Sequence, residues 1–228
     1  MIIVTGASSG IGKEVAQLLA EKTNKEDLIL ISRRNPEITN SNWLKCDLSD
    51  RYQLEDLAKK LKQKVSRLDF IVHCAGVMKS QSSSSLSIDD CVESFMVNTI
   101  APLYITSSLS RQLAKAKGVA IVISSIASKL DIPGECIYSA TKSGLDKGFE
   151  TLSADLSRLG INFLKIHPVM IDTPMTSRLT DSQKEYMNQQ RTTKTEPTAV
   201  ELAKYIVGLQ ECNHYATGSS IYFGGIRR

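Results

Sequence analysis

Tyr138 and Lys142 stand four residues apart in the run Tyr138-Ser139-Ala140-Thr141-Lys142. On a helix that spacing stacks the two side chains on one face. An ammonium close to a phenol favours the phenolate and lowers its pKa, which is ordinarily about 10. The pairing would move the tyrosine toward the range where a side chain exchanges protons efficiently at neutral pH. The hydroxyl of Ser125, upstream, would hydrogen-bond a reacting oxygen beside the phenol. Alone, the pair equally describes a half-buried tyrosine next to a solvated lysine. The elements before it decide.

The chain opens with a short β-branched strand, Ile2 to Thr5, followed by Gly6-Ala7-Ser8-Ser9-Gly10-Ile11-Gly12. Lys13 to Glu21 then has helical periodicity, with Val15, Leu18 and Leu19 on one face. Strand, glycine turn and helix form the layout of a dinucleotide site. Gly6 permits a tight turn, Gly10 lets backbone approach a pyrophosphate, and Gly12 lets helix and strand pack closely. The free N–H groups at the helix start attract phosphate. The spacing is Thr-Gly-x-x-x-Gly-x-Gly, not the common Gly-x-Gly-x-x-Gly. The second apolar run, Leu28 to Ile31, ends in Ser32-Arg33-Arg34. An acidic residue there would bind the ribose 2′-OH of NAD. Serine followed by arginines suits a 2′-phosphate, so NADP(H) is favoured over NAD(H).

The remaining chain alternates strands and helices. Strands are expected at 43–46, 70–73, 119–123, 162–166 and 220–223. Helices are expected at 50–65, from Ser87 to about Ala114 with a bend near Asn98 and Pro102, from Tyr138 to about Arg158, at 181–190 and at 198–210. Such alternation predicts an α/β, doubly wound parallel sheet with helices on both faces. The polar stretch 174–195 follows a strand's carboxyl end, where a substrate lid would sit. One domain over 1–228 is expected.

The 228 residues, 42% hydrophobic, suffice for one sizeable core. A net charge of +4, spread along the chain, gives no nucleic-acid footprint. No apolar run is long enough to span a bilayer. The strand starting at Ile2 leaves no room for a leader. Five scattered cysteines, Cys46, Cys74, Cys91, Cys136 and Cys212, form no CxxC pair. They predict free thiols in a cytoplasmic protein, without disulfide frame or metal site. His73 and His167 sit at strand ends and read as packed structural residues.

Thr5-Gly6-Ala7-Ser8-Ser9-Gly10-Ile11-Gly12, Asn98, Ser125, Tyr138 and Lys142, in this order, resemble the short-chain dehydrogenase/reductase family over nearly the whole chain. The resemblance implies a Rossmann sheet of about seven strands and NADP(H)-dependent hydride transfer. It assigns the pyrophosphate to the turn of Gly6, Ser8, Ser9, Gly10, Ile11 and Gly12. The 2′-phosphate goes to Arg33 with Arg34 beside it, and the adenine to Asp47 with Leu48. Ala75 and Gly76 would lie over the cofactor. Asn98 would hold a water in a proton relay. Ser125, Tyr138 and Lys142 would be catalytic, Lys142 also binding the nicotinamide ribose. Pro168, Ile171 and Thr173 would meet the carboxamide. Three departures stand out: Cys74 where asparagine is usual, Val169 where glycine is usual, and a short basic end, Gly224 to Arg228. The family also implies a homodimer or homotetramer, paired through the helices of Asn98 and Tyr138.

The expected activity is NADPH-dependent reduction of a small ketone or diketone, or the reverse alcohol oxidation. One alternative is a 3-oxoacyl-carrier-protein reductase, with Lys115, Lys117 and Arg158 as a basic patch for the acidic carrier. The other is a non-catalytic NADPH sensor.

Overall fold

The computed structural model describes residues 1–211 and 216–227. Cys212 and Arg228, both named above, lie outside them. Four apolar runs, β1 (Ile2–Thr5), β2 (Leu28–Ser32), β4 (Phe70–His73) and β5 (Val119–Ile123), are buried along their whole length. A parallel sheet covered on both faces demands such runs. β3 (Asn42–Lys45) and β7 (Ser220–Phe223) are partly exposed, as suits edge strands. β6 (Asn162–Pro168) runs two residues past its expected end. All pairs are parallel, in the order β3-β2-β1-β4-β5-β6-β7. This is the Rossmann-type, doubly wound α/β architecture that the alternation predicts. The order reverses between β1 and β4, so a crevice opens beyond their carboxyl ends, the place where such sheets bind ligands.

On one face lie α1 (Gly10–Ala20) and α8 (Ala199–Gly208), packed on each other and on the sheet through Val15, Leu19, Leu202 and Ile206. On the other lie α2 (Arg51–Lys64), α4 (Ala101–Ser108), α5 (Ser110–Ala116) and α6 (Cys136–Leu156). Phe149 of α6 meets Phe163 of β6 edge-on at 5.3 Å. Local signals set the helix starts. Asp50 accepts from the backbone N–H groups of Tyr52 and Gln53. Thr198 and Glu201 form a reciprocal capping box, as do Thr180 and Gln183 ahead of α7 (Asp181–Gln189).

The long helix expected after Ser87 is segmented. α3 (Ile88–Phe95) passes into a π-turn at Met96–Ile100 and then into α4. Pro102 has no N–H to give the Asn98 carbonyl in a regular α-helix, a physical reason for the wider turn before it. The break that ends α4 comes at Leu109, whose φ of −105° and ψ of 13° leave the helical range.

His73 ends β4 fully inside the protein, its Nε2 2.9 Å from the Thr106 hydroxyl. Burial pushes its pKa down to about 3. It folds neutral, whereas in the unfolded chain it takes a proton below about 6.5. Stability is therefore full above pH 6.5 and is lost as pH falls toward 3. Between pH 6.5 and 5 this one group should remove on the order of 1–2 kcal/mol. Burial lowers His167 as well. In urea titrations across that range, His73→Gln should keep only the His167 part of the slope. An unaltered slope would place the proton uptake elsewhere. No helix among the described residues is long and apolar enough to cross a membrane.

Candidate active site

The crevice at the β1/β4 switch is lined by Gly6, Ser8, Ser9, Gly10, Ile11, Gly12, Arg33, Arg34, Asp47, Leu48, Ala75, Gly76 and Thr173. Each was expected to meet a cofactor. The glycines are sterically required. Gly6 has φ +71°, and a Cβ on it would lie 2.6 Å from the Ala75 nitrogen. A Cβ on Gly12 would lie 2.3 Å from the Gly6 carbonyl oxygen. The turn is thus pressed against α1 on one side and the β4 end on the other. Backbone fills the place of side chains, leaving a surface that phosphates can approach. These residues fit a dinucleotide.

At the far end, Ser32 shapes the turn rather than offering a carboxylate. Its hydroxyl donates to the Arg34 carbonyl at 2.6 Å and accepts from the Trp43 indole at 3.1 Å. The Arg33 guanidinium lies 3.9 Å from Asp47 with 61% of its side chain exposed. An ion pair that long and that wet is weak, so the cation is available to an incoming phosphate.

Cys74 packs against Gly12 at the head of the glycine turn. Its Cβ would be 3.0 Å from a Cβ on Gly12, and burial pushes its thiol up to about 12. The turn is held instead by Thr5, whose hydroxyl accepts from the Ala75 N–H at 3.3 Å. Val169 is absorbed in a similar way. It is buried against Gly224, where φ is +96° and any Cβ would lie 2.4 Å from a Val169 methyl.

Asn98 and Lys142 are set at the Gly76 edge of the crevice, while Tyr138 is not among the residues that line it. A Cβ on Gly76 would lie 3.4 Å from Asn98 Oδ1 and 3.8 Å from Lys142 Nζ. The Asn98 amide donates to the Val77 carbonyl at 2.8 Å and to the Thr141 hydroxyl at 3.0 Å. Its oxygen accepts from the Val77 N–H at 2.8 Å. The side chain is therefore a clamp joining the π-turn, the β4 loop and α6, with no N–H left over for a water. Thr141 completes the clamp by donating to the Tyr138 carbonyl at 2.8 Å.

Ser125 lies close enough to the Tyr138 phenol to favour its ionised form, and its hydroxyl accepts from the Ala127 N–H at 3.1 Å. The Lys142 ammonium lies 5.7 Å from the Tyr138 ring centre and donates to the Ile123 carbonyl at 2.7 Å. The expected acidic phenol is not found. Burial pushes Tyr138 up to about 12, the Ser125 hydrogen bond opposes this, and the Glu135 charge adds to it. Lys142 is turned toward the strand end, and burial pulls it down to about 8, with Asp146 one turn away resisting. The expected i, i+4 adjacency is present, yet desolvation outweighs the charge effect.

Pro168 closes β6, and Ile171 is a core side chain, its carbonyl accepting from the Thr176 hydroxyl at 2.8 Å. Any contact of these two with a ligand would come from backbone. Thr173 faces Gly10 across the crevice, its methyl 3.6 Å from a Cβ there. Met175, Thr141, Asp146 and Glu135 were given no role by the sequence, and Thr5 only its place at the head of the glycine motif. Asp146 carried a signal in its helical spacing from Lys142.

A family model described as short chain dehydrogenase matches residues 1–184. An uncharacterized oxidoreductase of Staphylococcus aureus strain MW2 is 29% identical over 198 residues, which cover 82% of this chain and 85% of that one. A short chain dehydrogenase from Burkholderia cenocepacia J2315, solved in complex with NADP, superposes with a TM-score of 0.85. It is 22% identical, over 98% of this chain and 96% of that one. A 4-hydroxyisoleucine dehydrogenase complexed with NADH and succinate gives 0.87 at 21% identity, over 99% and 98%. At such identities the two structures speak for the fold.

Proposed function

The chain belongs to the short-chain dehydrogenase family and is an oxidoreductase, and on that premise we propose an NADPH-dependent carbonyl reductase. Its substrate is a small ketone or diketone, with alcohol oxidation as the reverse reaction. One observation carries this reading: the Lys142 ammonium, 5.7 Å from the Tyr138 ring centre, borders the crevice at Gly76. When bound, the nicotinamide supplies the hydride. Tyr138 gives its proton to the carbonyl oxygen as negative charge builds there. Ser125 steadies that oxygen with a hydrogen bond, which is stabilisation placed where charge develops. Lys142 holds the ribose and adds a positive charge beside the phenol. The Gly6–Gly12 turn takes the pyrophosphate, and Asp47 the adenine. Residues 174–195 form the substrate lid of a single-domain enzyme.

Arg33 supports NADPH over NADH, because it is exposed, weakly paired and not opposed by an acid at Ser32. Arg33→Ser should raise KM for NADPH by roughly 10–100-fold and leave KM for NADH nearly unchanged. The activity itself is tested with NADPH and a panel of diketones, quinones and ketoacyl esters, followed by nicotinamide absorbance. Tight NADPH binding with silence across the panel would favour a sensor. Against the acyl-carrier reading, Arg158 lies two residues past α6, roughly 30 Å along the helix from Tyr138. A cytoplasmic homodimer fits the free thiols of Cys46, Cys74, Cys91 and Cys136. It also fits the exposed stripe of Ile88, Val92, Phe95, Ile100 and Tyr104 along α3, the π-turn and α4.

A further inference from the structure

Glu135 stands immediately before α6, at the position where a side chain can cap the helix, yet it makes no capping bond. It is 1% exposed. One carboxyl oxygen, Oε1, accepts from the Ser80 hydroxyl. The other, Oε2, is buried and has no hydrogen-bond partner among the described residues. A buried carboxyl oxygen without a partner is unfavourable and calls for a reason. Burial raises the Glu135 pKa, and its charge is felt at the Tyr138 phenol three residues on.

Three segments meet around this carboxyl. The Gln81 N–H donates to the Gly134 carbonyl at 3.1 Å. The Gln183 amide, on α7, donates to the Pro133 carbonyl at 2.9 Å. Ile132, three residues before Glu135, belongs to an apolar cluster with Leu179, Met187, Met78 and Tyr138. Small-molecule sites set a ligand's orientation with a few polar groups placed in apolar surroundings.

We propose that Glu135 is the substrate-recognising residue of this site, its Oε2 accepting a hydrogen bond from a donor group on the carbonyl substrate. The donor is a hydroxyl or, better, a protonated amine, so the substrates are short hydroxyketones and aminoketones. An ammonium at Oε2 supplies the missing hydrogen bond. It also cancels the negative charge that otherwise opposes ionisation of Tyr138. The inference rests on the carbonyl-reductase reading.

The test uses matched ketones with a methyl, hydroxyl or ammonium group one or two carbons from the carbonyl, for example butanone, hydroxyacetone and aminoacetone. In the wild-type enzyme with NADPH, kcat/KM should favour the hydroxyl and ammonium members by about tenfold or more over the methyl one. Glu135→Gln keeps an acceptor oxygen but loses the charge. The ammonium preference should collapse toward that for the hydroxyl, mainly through KM, with NADPH affinity intact as the sign of a folded enzyme. Ser80→Ala, which frees Oε1, should leave the preference in place. Equal kcat/KM for all three ketones in the wild type overturns the proposal without needing any variant. So does an equal loss on all three in Glu135→Gln and Ser80→Ala, because the carboxyl would then only tie down the loop. Tight NADPH binding with no turnover of any ketone sinks the reductase reading itself, and this inference with it.

Discussion

Replacing Tyr138 with Phe is expected to cut carbonyl reduction by roughly 10²–10⁴-fold, or about 3–5 kcal/mol of barrier, while NADPH affinity changes by less than about twofold. The ring packs with Ile126, Ile132 and Met170, and phenylalanine keeps that packing. Only the phenolic hydroxyl is removed. The effect should fall on kcat, because the missing proton transfer belongs to the transition state alone. The phenol's pKa of about 12 makes it a neutral donor across the whole neutral range. Lys142 is the group that titrates. Folding lowers its pKa to about 8, so its ammonium is complete below that value and lost above it. In the wild type, kcat/KM for reduction should be flat below pH 8 and fall beyond it, since that parameter reports the free enzyme. Stopped-flow NADPH oxidation and fluorescence titration of the cofactor measure both halves. A variant retaining more than a tenth of wild-type turnover would move the proton transfer to another residue.

The tyrosine also marks how far the sequence could be read. The strands were legible because a strand buried on both faces needs an unbroken apolar run, and Leu28 to Ile31 or Val119 to Ile123 fit little else. The glycine turn was legible because Gly6 and Gly12 serve backbone geometry, which spacing reveals. The acidity of Tyr138 was not. Helical spacing reports which groups are neighbours. It is silent on desolvation, and desolvation sets the sign here. The burial of Glu135 and Asp146 was invisible for a related reason. A carboxylate buried to within a few per cent looks, in a sequence, like one on a wet helix face. Val169 and Gly224 illustrate a third kind of blindness. Each is odd alone, and only the pairing of β6 with β7 shows that one makes room for the other. Candidates for the site can be named from spacing alone, while their protonation and the shape of the pocket wall depend on contacts between distant segments.

Gly12→Ala is expected to weaken NADPH binding by roughly 100-fold or more and to destabilise the fold by about 1–3 kcal/mol. The new Cβ would sit 2.3 Å from the Gly6 carbonyl oxygen and 2.8 Å from its carbon. Both are backbone atoms in a turn with little room to yield, because even a Cβ on Gly6 would lie 2.6–2.8 Å from the Cys74 and Ala75 backbone. Relief has to come from α1 moving away from the sheet. Its first turn would carry the phosphate-facing N–H groups out of place, and a misplacement near 1 Å is enough to cost about 10²-fold. Gly208 supplies the contrast. It ends α8 with nothing within 4 Å of its would-be Cβ, so Gly208→Ala should leave cofactor affinity unchanged. Calorimetric titration with NADPH and thermal melts of the two variants separate close approach from the general effect of adding a methyl group. Wild-type affinity in Gly12→Ala would mean that the phosphates do not lie on this turn, and the hydride-transfer reading would lose the geometry that aims the cofactor at Tyr138.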